Sequence, residues 1–341
     1  MRIGLLLAES RGGIGQHVAS LVPRYVDAGH EVVVCAPRGT AAHFDFGAAS
    51  VVEQAIGLRG CDVIHAHGYK AGMSALRDRS HLRPLVVTWH NAVLMSGPRG
   101  LLMRLGQRVV ARGADLTLGA SSDLVELARS LGARQARLAP VAAPAVPEVR
   151  TPSAETREAL GIGDAPLVIA VGRLAPQKDY PTLLSVAAEV QRTNPDVVFA
   201  VAGYGPLQDS LQARIDTEGL PVRLLGQRGD VADLMGAADV FLLTSHWEAR
   251  ALVVQEAMQV GLPVVATAVG GIPELVGDSA LLAFPGDVAG LADSVRRVLA
   301  EPTVASALRT EGLQLAAGWP DEDAVAKNLL DIYAGLVATG A

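Results

Sequence analysis

The chain has 341 residues, half of them hydrophobic and 19% charged, with a formal net charge of −6. That is long enough for two domains with separate cores and too apolar for a disordered chain. Residues 1–150 carry 17 Lys and Arg against 11 Asp and Glu, and residues 151–341 carry 12 against 24; this split predicts different ligands for the two halves and excludes a general nucleic-acid binder, which needs one continuous basic surface.

Taken in chain order, short β-branched runs alternate with helical periods. Strands are predicted at 3–8, 31–36, 62–66, 85–88 and 115–118, with helices at 15–28, 68–79, 99–112 and 122–131. Solidly apolar strands alternating with helices imply parallel sheets covered on both faces. The proline-rich segment 140–166 breaks the rhythm and reads as a connection. Strands then resume at 167–171, 197–202, 222–225, 240–243, 263–266 and 280–283, and helices close the chain at 288–299, 304–317 and 322–336. The expected fold class is therefore α/β: two doubly wound, Rossmann-like domains facing each other across a cleft. Their expected bounds are 1–145 and 166–341 around a linker at 146–165, with the last helix packing back on the first domain. Cys35 and Cys61 read as buried thiols of a reducing compartment. The apolar run at residues 1–9 is too short for a signal peptide, and no stretch reaches the roughly 20 apolar residues of a membrane span, so a cytoplasmic protein is expected.

The stretch 244–258, Thr-Ser-His-Trp-Glu-Ala-Arg-Ala-Leu-Val-Val-Gln-Glu-Ala-Met, carries the strongest chemical signal. A helix is predicted to open near Arg250, and the eight-residue spacing then puts Glu248 and Glu256 on nearly one helical face. Two carboxylates at the rim of a parallel sheet can each grip a vicinal diol, as a sugar and a ribose require; the plain alternative is a dipole partner and a solvated group. Glu256, however, falls within an apolar run, where a lone carboxylate is costly without partners. Upstream, Gly172-Arg173-Leu174 and Lys178 follow a strand and open a helix, offering two cations and a helix start to a diphosphate without a metal. Glycine turns after strands recur around Gly203 and Arg228, where backbone groups can meet a base, and at Gly270-Gly271, suited to close approach of a phosphate.

In the first half, Arg11-Gly12-Gly13-Ile14-Gly15-Gln16-His17 mimics a dinucleotide fingerprint. The second strand, though, ends in Pro37-Arg38 with no acid for the ribose, so NAD is rejected and no cofactor is expected. His65, His67 and His90 stand at strand ends. No cysteine or carboxylate cluster completes a ligand set around them, so no metal is expected; His65 reads as a satisfied structural histidine. Asp321-x-Asp323 reads as a helix cap instead of a metal clamp.

Together these motifs resemble glycosyltransferase family 4, the retaining transferases of the GT-B fold, over nearly the whole chain. The resemblance rests on Glu248-x7-Glu256, on Gly172-Arg173-Leu174 with Lys178, and on Gly270-Gly271-Ile272-Pro273-Glu274. It implies transfer of a hexose or N-acetylhexosamine from a UDP- or GDP-linked donor to an acceptor hydroxyl, without a metal, by front-face departure. His90, Glu248, Arg173 and Lys178 become the catalytic candidates. The donor-binding set is Gly12, Gly13, Gly172, Arg173, Lys178, Gly203, Arg228, Glu248, Ala249, Arg250, Ala251, Leu252 and Glu256. Gly15, His17, His67 and Tyr69 fall on the acceptor side. Two departures stand out: Ala249-Arg250-Ala251 replaces Gly-Phe-Gly, and Asp179 replaces a glycine. A GT-B nucleotide-sugar epimerase and a non-catalytic nucleotide-sugar binder are the competing readings. Finally, Val93-Leu94-Met95 and Leu101-Leu102-Met103 alternate with Arg99, Arg104, Arg108 and Arg112, with no acid between Trp89 and Asp115. This predicts either a solvated helix packed on the sheet or peripheral contact with an anionic membrane and a lipid-linked acceptor; a small molecule or a glycan is the other acceptor class.

Overall fold

The computed structural model describes every residue except 11, 78–83, 94–96, 143, 144, 146, 147, 340 and 341. Arg11, Arg79, Leu94 and Met95, which the sequence reading used, lie outside the described residues. The chain forms two compact units, Met1–Pro144 with Pro320–Ala341, and Ala145–Trp319.

The first unit holds β1 (Arg2–Leu7), β2 (Glu31–Cys35), β3 (Ser50–Val52), β4 (Val63–His67), β5 (Leu85–Trp89), β6 (Leu116–Gly119) and β7 (Ala136–Leu138). They form one parallel sheet in the order β3-β2-β1-β4-β5-β6-β7. The second unit holds β8 (Leu167–Val171), β9 (Val198–Ala202), β10 (Val222–Gly226), β11 (Val240–Leu243), β12 (Val264–Thr267) and β13 (Leu281–Ala283). Their order is β10-β9-β8-β11-β12-β13, again all parallel. Central strands such as β5, β6, β11 and β12 are buried at every position, which is why they read as unbroken apolar runs. The two strands absent from the sequence reading, β3 and β7, are three-residue edge strands with half-exposed side chains at Val51 and Leu138, too short to carry a period and too exposed to require an apolar run.

The last helix, Glu322–Thr339, belongs to the first unit: Val325, Ala326, Leu329, Tyr333 and Leu336 join Ile3, Leu5, Val18 and Leu116 in one core. Its start is fixed by Asp321, whose Oδ1 accepts from the Ala324 amide at 2.7 Å, while Arg24 pairs with Glu322 and Asp323. Asp321-x-Asp323 is thus a cap and an ion-pair anchor. Part of the proline-rich segment belongs to the second unit. Residues Ser153–Ala159 form a helix with Pro152 at its N-cap, and Asp233 accepts from the Arg150 and Thr151 amides at 2.7 and 3.1 Å. Proline is compatible with a helix start because it fixes φ there and gives up an N–H that would be unpaired anyway, so proline content concealed this helix.

Candidate functional site

In both sheets the strand order reverses between two neighbours, β1/β4 and β8/β11. The carboxyl ends at such a switch point flank the crevice in which open α/β sheets hold ligands.

In the second unit β11 delivers the turn Thr244–Arg250. Glu248 is 8% exposed, and its Oε1 accepts from Lys178 Nζ at 2.6 Å and from Ser245 Oγ at 2.7 Å. The turn is pinned on both sides. Gln177 Nε2 donates to the Trp247 carbonyl at 2.8 Å, and the Gly271 amide donates to the Glu248 carbonyl at 2.9 Å. The helix begins at Leu252 with Ala251 as N-cap, so Glu248 precedes it and the shared-helical-face argument does not hold; the strand end and its clasping loops place this carboxylate. Glu256 lies within that helix, makes no ion pair among the described residues, and burial pushes its carboxyl above the usual range.

Lys178 closes a 3-10 turn at Pro176–Lys178 instead of opening the following helix. That helix, Tyr180–Gln191, is capped by Asp179, which adopts a left-handed conformation (φ 46°) and accepts from the Thr182 hydroxyl at 2.6 Å. Aspartate is among the few residues that tolerate this conformation, so it can replace the glycine; its carboxylate then occupies the helix start that the sequence reading assigned to an anion. Arg173 is exposed and makes no ion pair among the described residues. Arg228 is committed to Asp230 through two bonds, Nε to Oδ1 at 2.8 Å and Nη2 to Oδ2 at 2.5 Å. The other departure is accounted for by packing. Ala249 and Ala251 are buried, and the Arg250 guanidinium lies 5.7 Å from the Trp319 ring centroid, burial lowering its pKa.

The glycine turns have a structural cause. A Cβ on Gly203 would stand 1.9 Å from the Gly172 carbonyl oxygen, and one on Gly270 would stand 2.0 Å from the Glu248 carbonyl oxygen. These glycines let one rim loop lie against another, a packing reason for glycine at both positions.

In the first unit β4 ends at His67 and β5 is followed by His90. His67 Nδ1 lies 3.2 Å from His90 Nε2 with the rings stacked at 18°, and the His17 ring stands 5.6 Å from each. His65 is satisfied at both nitrogens, by Tyr333 Oη at 2.5 Å and Thr88 Oγ1 at 2.6 Å, and Tyr333 Oη lies 3.2 Å from Tyr25 Oη. Burial lowers His17 to about 4 and His65 to about 3, and holds His67 and His90 well below the ordinary range, with repulsion from neighbouring histidines adding for all but His17. The four rings are therefore neutral at neutral pH. Gly12 caps the helix Gly13–Asp27 in open space, whereas a Cβ on Gly15 would meet the Phe44 ring at 2.1 Å, so Gly15 is small for packing. Tyr69 opens the helix Tyr69–Arg77, half-buried. Among the described residues no group of three His, Cys, Asp or Glu could hold a metal ion. Ser245, Thr88 and Tyr333 escaped the sequence reading: hydroxyls are common everywhere, and only tertiary contact selects these three.

The family description glycosyl transferases group 1 matches residues 152–314, and the glycosyl transferase 4-like domain matches 44–144. Alpha-D-kanosaminyltransferase of Streptomyces kanamyceticus is 27% identical over 294 residues, 79% of this chain and 76% of that protein. D-inositol 3-phosphate glycosyltransferase of Saccharomonospora viridis is 33% identical over 277 residues, 72% of this chain and 64% of that protein. Anabaena HepE, solved in complex with UDP, superposes with a TM-score of 0.82 at 22% identity, covering 98% of this chain and 100% of HepE, a likeness of fold.

Proposed function

The chain belongs to the group 1 glycosyl transferases, on the GT-B architecture, and is a glycosyltransferase; from this we propose that it moves a hexose or N-acetylhexosamine from a UDP- or GDP-linked donor to an acceptor hydroxyl with retention and without a metal. The observation that carries the reading is the clasped turn of the second unit, where Lys178 and Ser245 both hold Glu248 Oε1. A buried carboxylate with its cation beside it is a pair that a donor can divide, the ammonium turning to the diphosphate and the carboxylate to sugar hydroxyls. Glu256 is assigned to the ribose, which would supply the partners its carboxylate lacks. UDP in Anabaena HepE agrees with the donor class.

The proposed step breaks the bond between the anomeric carbon and the diphosphate oxygen and forms the acceptor-oxygen bond on the same face. The acceptor's proton passes to the departing phosphate, and Arg173 and Lys178 stabilise the charge that develops there. Double displacement needs a free carboxylate nucleophile. On this reading Glu248 keeps its bond from Ser245 and turns to sugar hydroxyls when Lys178 moves to the diphosphate, so it is not a free nucleophile, which supports the front-face route. His90 is assigned to the donor sugar. Incubating the protein with UDP- and GDP-sugars, an acceptor extract and excess chelator, then reading products by mass spectrometry, tests the whole reading. Conversion of the nucleotide sugar with no acceptor would mean an epimerase, binding without turnover would mean a sensor, and activity restored only by Mg²⁺ or Mn²⁺ would refute metal independence.

A lipid-linked acceptor reached from the inner face of a membrane is supported by the helix Gly97–Gly113. Leu101, Leu102, Leu105 and Val109 are 51–70% exposed beside exposed Arg104, Arg108 and Arg112, while Gln107, Val110 and Ala111 are buried. Each arginine near anionic lipid contributes about 1 kcal/mol. No helix among the described residues is long and apolar enough to cross a membrane, so any contact through this helix is peripheral. Wild type should sediment with anionic vesicles and the triple Arg→Ser variant should not; equal behaviour of the two would leave the stripe as a solvated face.

A further inference from the structure

We propose that His67 is a positioning residue for His90: its Nδ1–H donates to His90 Nε2, which holds the His90 proton on Nδ1 and makes that ring a fixed hydrogen-bond donor. The backbone sets the pair. His67 ends β4 in register with Thr88 of β5, and His90 follows two residues on, so both histidines project from the same face of the sheet. Behind His67 lies His65, ring centroids 4.1 Å apart, itself clamped between Tyr333 and Thr88. His67 can therefore neither tilt away nor exchange its contact cheaply.

One proton lies in the 3.2 Å contact, and it has two possible owners. If His90 donated from Nε2, neutral His67 would carry its proton on its own Nε2. That nitrogen is buried and has no hydrogen-bond partner among the described residues, so the arrangement would bury an orphaned N–H. If His67 donates from Nδ1, the same atom is left as a bare lone pair. Orphaned buried donors are rarer than under-used acceptors. A proton on every nitrogen is closed off as well, because burial and the neighbouring imidazoles disfavour a cation at either ring. The remaining arrangement leaves His90 with an N–H at Nδ1 and no lone pair there. Such a ring can donate to a sugar hydroxyl or a developing negative charge and cannot remove a proton with that atom, which fits a reaction in which the leaving phosphate takes it. His67 was an acceptor-side candidate; at 2% exposure it acts through His90.

The catalytic half of this inference rests on the role proposed for His90, and the tautomer half does not. Histidine-labelled protein is examined by two-bond ¹⁵N–¹H correlation, which separates protonated from bare ring nitrogens, and donor kinetics are measured alongside. His90 should show a single tautomer with the proton on Nδ1. In His67→Leu the two tautomers should mix, and kcat should fall about tenfold, the effect of one buried hydrogen bond, with KM and nucleotide affinity unchanged. His67→Asn, whose amide nitrogen takes the place of Nδ1, should restore the single tautomer and most of the rate. A proton on Nε2 of His90 in the wild type, or a His67→Leu protein that keeps both the tautomer and the rate, overturns the proposal. If no donor is turned over at all, the functional reading fails, while the tautomer spectra still decide this one.

Discussion

The two units share a parallel-sheet plan and place polar residues at the same switch point, yet they meet the cost of burial in opposite ways. In the second unit charge is retained and paired: Lys178 and Glu248 hold each other, and Ser245 takes up a further lone pair. In the first unit charge is expelled, since four crowded imidazoles are kept neutral by burial, to which their neighbours add at His65, His67 and His90. A charged rim can exchange its partners for a charged ligand. A neutral rim can only orient one. Under the proposed function, the difference gives ionic grip to one half of the chain and direction to the other.

The largest effect that would break this contrast is loss of the ionic rim. Glu248→Ala should lower kcat/KM by about 2–5 kcal/mol of transition-state binding, and Lys178→Ala should weaken the free nucleotide diphosphate by a similar amount in calorimetry. His90→Ala should slow transfer and leave nucleotide affinity unchanged. Wild-type nucleotide affinity in Lys178→Ala would place the donor elsewhere.

Acid should distinguish the units next. Unfolded histidine titrates near 6.5, whereas folded His17 titrates near 4. Between those values the unfolded chain binds more protons, so His17's contribution is complete above about pH 6.5 and is lost as pH falls towards 4. That amounts to about 2–3 kcal/mol between pH 7 and 4.5. Glu256 works in the other sense, because a raised carboxyl pKa means that protonation relieves a buried charge. Denaturant unfolding followed by hydrogen exchange should show the first unit weakening more between pH 7 and 4.5, with His17→Gln flattening its slope. Parallel loss in both units would remove the contrast.

A third test addresses the loops. Gly270→Ala drives a Cβ into the Glu248 carbonyl at a left-handed φ of 51° and should destabilise the second unit by about 1–3 kcal/mol; Gly12→Ala meets nothing within 4 Å and should stay within about 0.5 kcal/mol. Similar melting shifts in the two variants would mean that the loop crossing is not what requires glycine. The smallest expected effect is that of EDTA: under the proposal that Arg173 and Lys178 hold the diphosphate, activity should not change, and loss reversed by Mg²⁺ would show that these cations do not suffice.

Local pattern and covalent stiffness settled much of this molecule. The central strands were legible because strands buried on both faces must be apolar throughout, and the last three helices because their periods are long. Asp321 as a cap and His65 as a structural histidine followed from residue chemistry next to a predicted terminus. Two short, largely exposed edge strands and the helix Ser153–Ala159 behind Pro152 were hidden, since a short exposed strand needs no apolar run and proline suits both a loop and a helix start. What only the tertiary structure decided is the pairing. Spacing placed Glu248 on a helix with Glu256, but the helix starts at Leu252, and Lys178 finds Glu248 across 70 residues of sequence. Likewise His67 meets His90 because β4 pairs with β5, and Tyr333 reaches His65 from 268 residues away. Sequence determines which groups a strand end carries. Which proton or charge each group keeps depends on the partner that another element brings within hydrogen-bond reach.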